Sequence, residues 1–180
     1  MSQALSTPVL GVNVDRVTAG TTTDGEDAEF ALGTTVIDSS GIKYRYVQAG
    51  AAISTTTSEP YSLGIDEANQ ATKLTAANGI AGYTFGIAPQ QIIADNAFFW
   101  ARVDGPYVPM RVTASAAADV LLGIGGVGAA GRVMSSVTAS AGNMLVYGLT
   151  ITAAGSASAS AGNTIRYAIM SNPTCVVATA

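Results

Sequence analysis

The feature that most constrains this chain is how often its apolar runs are broken. Gly, Ser, Thr, Asn or Asp interrupts every hydrophobic stretch, so none approaches the ~18 residues of a membrane-spanning helix. Short runs set between turn-forming clusters are the pattern of strands rather than of packed helices. Only Asp66 to Leu74 (DEANQATKL) has helical composition, and one short helix is expected there. The expected fold class is therefore all-β: a compact β-sandwich or β-barrel-like domain with an extended N-terminal arm and at most one short helix.

Individual strands can be placed. Thr34 to Ile37 is β-branched, Asp38-Ser39-Ser40-Gly41 has strong turn chemistry, and Ile42 to Gln48 (IKYRYVQ) alternates. Period-two geometry puts Ile42, Tyr44, Tyr46 and Gln48 on one face and Lys43, Arg45 and Val47 on the other, so this is a hairpin. Gly79 to Ala88 reads as a strand carrying Tyr83 and Phe85. Phe98 to Val103 (FFWARV) is the densest aromatic stretch and is expected at the centre of the core. There Phe98, Trp100 and Arg102 face one way, and Phe99, Ala101 and Val103 the other. Asp104-Gly105-Pro106 is expected to close that strand, with a new one from Tyr107 to Thr113.

The last third holds an internal repeat. Ala139-Ser140-Ala141-Gly142-Asn143 precedes a strand from Met144 to Thr152, with Tyr147 inside it. Twenty residues on, Ala159-Ser160-Ala161-Gly162-Asn163 precedes Thr164 to Met170, with Tyr167 in the matching place. Two copies are too few for a solenoid. The chain thus divides into an extended arm (1–31), a β-domain (32–113) and a β-rich C-terminal part (114–180) packed on the same core.

Composition narrows the chemistry. The 180 residues include no histidine and one cysteine, which removes Ser/His/Asp and Cys/His catalysis and most zinc sites. Cys175 has no partner for a disulfide and reads as a small core hydrophobe. Charged residues make up 11%, against about 25% in ordinary globular proteins. Few charges and many small side chains suit close contact with neighbours, because little has to be desolvated. The net charge of −4 argues against nucleic acid, and every carboxylate lies at or before Asp119. No basic segment followed by an apolar run opens the sequence, so synthesis in a cytoplasm without a signal peptide is expected.

The remaining motifs are weak in context. Gly123-Ile124-Gly125-Gly126-Val127-Gly128 matches the dinucleotide-binding fingerprint. That fingerprint needs a following helix and an acid about twenty residues on, and no acid follows Asp119. Asp66 with Glu67, or Asp95 with Asp104, would have to form any acid/base pair, but each lies in or beside a turn where carboxylates serve the backbone. The acidic run at 24–29 (Asp24, Glu26, Asp27, Glu29) lacks calcium-loop spacing and reads as a solvated loop. Tyr83, Phe85 or Trp100 could stack on a sugar, although alternating aromatics in strands more often form core. No enzyme, cofactor or metal is expected.

Several segments resemble a known group. Leu32-Gly33-Thr34-Thr35-Val36 runs through a glycine turn to Tyr44-Arg45-Tyr46-Val47-Gln48-Ala49-Gly50. Gly86-Ile87-Ala88 follows, then Phe99-Trp100-Ala101-Arg102-Val103-Asp104-Gly105-Pro106. This order resembles the capsid decoration (cement) proteins and related head structural proteins of tailed bacteriophages. The resemblance spans Leu32 to Pro106, a little under half of the chain, and its motifs are loose. It implies a virion protein on the capsid surface, with the major capsid protein and its own copies as partners and a homotrimer favoured. Neither nucleic acid nor membrane is implied as a partner. On that reading the arm, Met1 to Phe30, is the candidate capsid contact and is dispensable for folding. The alternatives are another phage structural component, such as a tail, fibre or minor capsid protein, or a carbohydrate-binding module.

Overall fold

The structure, a computed structural model, describes residues 12–20, 28–54, 60–75, 83–112, 122–124, 134–135, 144–151 and 164–177. The described residues are all-β, with no helix. In chain order the strands are β1 (Thr35–Ile37), β2 (Lys43–Ala49), β3 (Ser62–Ile65), β4 (Gln70–Lys73) and β5 (Thr84–Ile87). They continue as β6 (Phe98–Val112), β7 (Leu122–Ile124), β8 (Met134–Ser135), β9 (Met144–Ile151) and β10 (Thr164–Val177).

Five strands close on themselves. β2 pairs with β4, β4 with β3, β3 with β5, β5 with β6, and β6 returns to β2. The result is a small barrel in mixed orientation, since β2 and β4 run parallel while the other four pairs are antiparallel. A barrel this narrow must be filled by side chains, and many have to be small. Its interior holds Ala49, Ala71, Ala88 and Ala101 around Leu63, Ile65 and Phe99. Gly86 faces inward too, where an added Cβ would stand 2.9 Å from Ile65 Cδ1 and 3.6 Å from Ala101 Cβ. One end is closed by buried Ile53 and Ile93, joined by the hydrogen bond from Ile53 N to Ile93 O at 3.0 Å.

The alternation in β2 and β6 survives folding. Val47, Phe99, Ala101 and Val103 point into the barrel, while Tyr44, Tyr46, Phe98 and Trp100 form an aromatic layer outside it. The β1–β2 hairpin has Val36 opposite Tyr44, and its turn is built on buried Asp38. The Asp38 carboxylate accepts from Ser40 N (2.8 Å), Ile42 N (2.9 Å) and the Tyr44 hydroxyl (3.2 Å).

Two expectations fail locally. Asp66 to Leu74 is a turn leading into β4 rather than a helix. Asp66 Oδ1 accepts from Gln70 N at 2.8 Å, and Asn69 takes a left-handed φ of 61° that no helix continues through. A nine-residue helix is marginal alone, whereas the β3 edge offers Gly64 and Ile65 as ready partners for Thr72 and Ala71. Asp104-Gly105-Pro106, secondly, does not end its strand. β6 runs on for 15 residues, and this tripeptide is a bend where Gly105 (φ 124°) and Tyr107 (φ 52°) shift the register.

That bend makes β6 the link between two layers. Beyond it, β6 pairs with β10, β10 with β9, β9 with β7 and β7 with β8, all antiparallel, giving an outer sheet. Between this sheet and the barrel wall lies a second core, in which Phe85 and Ile87 of β5 meet Val108, Met110, Leu149, Ile151, Met170 and Cys175. The strands of the sequence repeat, β9 and β10, are antiparallel neighbours, and β10 is longer than expected because Ser171 to Pro173 form a bulge. The repeat's turns, 139–143 and 159–163, lie outside the described residues.

The described parts of the arm are fixed to the chain's own barrel. Thr18 and Phe98 exchange backbone hydrogen bonds of 2.9 and 2.8 Å, and Val12, Val14, Ala28 and Phe30 cover the aromatic layer. The Phe30 ring sits 5.3 Å from both Tyr46 and Trp100. Tyr46 OH accepts from Glu29 N at 3.2 Å, and Arg16 pairs with Glu29 at 2.7 Å. Removing Met1 to Phe30 as a whole is therefore expected to bare Trp100 and Tyr46.

Candidate functional site

Three of the four carboxylates considered for acid/base work are occupied by turns, and the fourth, Glu67, is exposed. Asp66 holds the β3–β4 turn, Asp95 Oδ1 accepts from Asn96 N at 3.0 Å, and Asp104 Oδ1 accepts from Gly105 N at 2.9 Å. Asp104 Oδ1 also accepts from Asn172 N of the β10 bulge at 3.4 Å. Asp104 thus joins two strained points, since Asn172 has a φ of 43°. Among the described residues no group of three or more His, Cys, Asp or Glu is placed to hold a metal ion. The acidic residues 24–27 lie outside the described residues; Glu29 is in the ion pair with Arg16.

The aromatic candidates separate. Phe85 and Trp100 are buried, at 0% and 2% exposure, so neither offers a face to a sugar. Tyr83 is half-buried beside a cleft. Gly123 lies inside β7, paired with Met134 and Leu145 on antiparallel strands. The rest of the glycine fingerprint, Gly125 to Gly128, lies outside the described residues.

The cleft beside Tyr83 is a feature that sequence reasoning did not foresee. It has a volume of about 260 Å3 and lies where the barrel meets the outer sheet, lined by Lys43, Arg45, Thr84, Asp104 and Asn172 among others. The Arg45 guanidinium donates to Thr84 Oγ1 at 3.3 Å. Two cations, one carboxylate and several hydroxyls suit a polar group on a partner; the cleft holds no activated nucleophile. Its residues come from five strands spread over about 140 positions of sequence, so no local signal marks it. A shallower, open groove of about 590 Å3 runs between the arm (Val17, Ala19) and the 90–97 loop.

Buried ionisable groups here stabilise rather than react. Burial pushes the Cys175 thiol up to about 11 and raises the Tyr44 and Tyr46 phenols above their usual value. For Tyr44 this outweighs the opposing pull of Arg102. Well below pH 9.0 the thiol is neutral in both folded and unfolded chains. Above it the unfolded thiol ionises first, so stability falls from about pH 9 to about pH 11. The denaturation midpoint is expected to decline over that window less steeply in Cys175→Ala than in the parent. Equal slopes would refute this account. Native Cys175 is expected to resist thiol reagents at pH 8 until the chain unfolds.

The outer sheet presents a different kind of surface. Its inner face is packed, but its outer face carries Tyr107, Tyr147, Ile165, Tyr167 and Ile169, all exposed. No helix among the described residues is long and apolar enough to cross a membrane. Comparison with known proteins returns no matching family model, no matching curated protein and no matching solved structure.

Proposed function

We propose that this chain is a virion structural protein that decorates and stabilises the outer surface of a phage capsid by bridging neighbouring capsid subunits, and that it is not an enzyme. The observation that carries this reading is where the resembling segments fall. Leu32–Val36, Tyr44–Gly50, Gly86–Ala88 and Phe99–Pro106 belong to or adjoin β1, β2, β5 and β6, which pair side by side in the order β1-β2-β6-β5, the last three as neighbouring strands of the barrel. Residues far apart in the chain that carry the likeness thus form a single structural unit. A closed, well-filled barrel is stiff and leaves few free edges, which suits a brace between subunits. Many weak contacts repeated by symmetry then supply avidity. Its partners in this proposal are the major capsid protein and its own copies, at the capsid surface.

The capsid contact is assigned to the N-terminal segment, and the packing of Phe30 dictates how to test it. Removing residues 1–11 keeps Val12, Val14 and Phe30 on the aromatic layer; removing 1–30 strips them away. The shorter deletion is expected to keep the parent's thermal midpoint while cosedimentation with purified capsids drops at least tenfold. Full occupancy by that variant would reject the contact. Negatively stained virions lacking the protein are expected to lose surface knobs or shell stability. Unchanged heads with altered tails would instead make it a tail component.

A further inference from the structure

We infer that the outer face of β6, β9 and β10 is where copies of this chain meet, an assignment that rests on the assembly role proposed above. The registry puts its side chains on one surface. Tyr167 stands opposite Pro109, Ile169 opposite Thr150, and Tyr147 opposite Thr174. Along β10 the alternation is regular: Ile165, Tyr167 and Ile169 are exposed, while Ala168 and Met170 are buried in the second core. The same strand therefore has an apolar residue facing water at each outward position over this stretch.

The exposure is large for such residues. Tyr107 is 68% exposed, Tyr167 57%, Tyr147 50%, Ile169 45% and Ile165 39%. With about 200 Å2 for an aromatic side chain, the five leave roughly 500 Å2 in water. That is at the upper end of the patches found on free monomers. It is also more than half of the ~800 Å2 per partner that a standard interface buries. Thr150 extends it without charge, and Thr174 marks its border with the cleft of Lys43, Arg45 and Asp104.

The exposed apolar area and the low charge of this face suit a second copy as the occupant. In a contact between identical faces, each charged group is brought near its own counterpart and is repelled. The chain carries −4 overall, yet residues 105–112, 144–151 and 164–177 contain no carboxylate and only two charged residues, Arg111 and Arg166. Two copies can thus approach through this face with their acidic parts held apart. The ridge of β10 also suits it, because outward side chains of facing sheets interdigitate at about 10 Å. Tyrosine supplies anchors of the kind that dominate such interfaces.

The test is the mass of the full chain in solution, without capsids. Sedimentation velocity between about 1 and 100 μM is expected to show an oligomer. Tyr167→Thr with Ile169→Thr keeps strand propensity and removes the apolar ridge. That double variant is expected to weaken association at least 100-fold, with unchanged circular dichroism and Trp100 emission. Ile92→Thr, at an exposed apolar position outside this face, is expected to leave the mass unchanged. A parent that is monomeric at 100 μM, or a double variant that stays oligomeric, overturns the inference. So does an Ile92→Thr variant that dissociates equally. Cosedimentation with capsids is scored separately. An oligomer that ignores capsids rejects the decorating role alone, and a monomer that binds them rejects this interface alone.

Discussion

Phe99→Ala is expected to lower folding stability by about 3–5 kcal/mol, the range for truncating a large buried aromatic. Phe99 is the largest wholly buried side chain of the barrel core, where its neighbours are Leu63, Ile65, Ala101 and Val47. The walls are held by backbone pairing around the circuit, so they cannot collapse onto the space a phenyl ring leaves. Phe99→Leu keeps most of the volume and is expected to cost less than half as much. Urea denaturation of parent and variants, followed by Trp100 emission, measures both. A loss under about 1 kcal/mol for the alanine variant would mean that the barrel is not packed around this ring.

Gly105→Ala is expected to cost about 3 kcal/mol or more, and Gly41→Ala about 1 kcal/mol. Both glycines have positive φ, 124° and 82°, so both pay for a side chain in backbone strain. They differ in surroundings. A Cβ on Gly41 meets nothing within 4 Å, whereas one on Gly105 lies 2.7 Å from Ile42 Cα and 3.0 Å from Gly41 O. Those are backbone atoms and cannot swing aside. The pair of variants thus separates conformational strain from steric overlap at the bend of β6. Equal losses, read from the same denaturation curves, would show that the bend is not held tightly against the β1–β2 turn.

Much of the local structure was legible because it depends on neighbours in sequence. The Asp38-Ser39-Ser40-Gly41 turn, the two faces of β2 and those of Phe98 to Val103 follow from turn chemistry and a period of two. Reading failed where two local signals compete. DEANQATKL has helix-forming composition, and Ala71 and Leu74 at a spacing of three fit a helical face as well as the observed strand end. Pairing with β3 settles the contest from outside the segment. Asp104-Gly105-Pro106 has the signature of a strand end, yet β2 and β10 on either side carry the strand through it.

The broken apolar runs determined the class of fold by themselves. Short, alternating segments between glycine and Asx turns can bury surface only as strands, and the described residues are all-β. The sequence also carried the chemistry it lacks, since no folding can supply a histidine. Tertiary structure alone decided closure, because whether β4 returns to β2 depends on pairing across more than twenty residues. It alone decided that the arm lies on its own barrel, where Phe30 meets Trp100 seventy positions away. And it alone turned the repeat's two tyrosines, Tyr147 and Tyr167, to one exposed face. An alternating strand specifies two faces, but only the layer packed against one of them decides which is left to a partner.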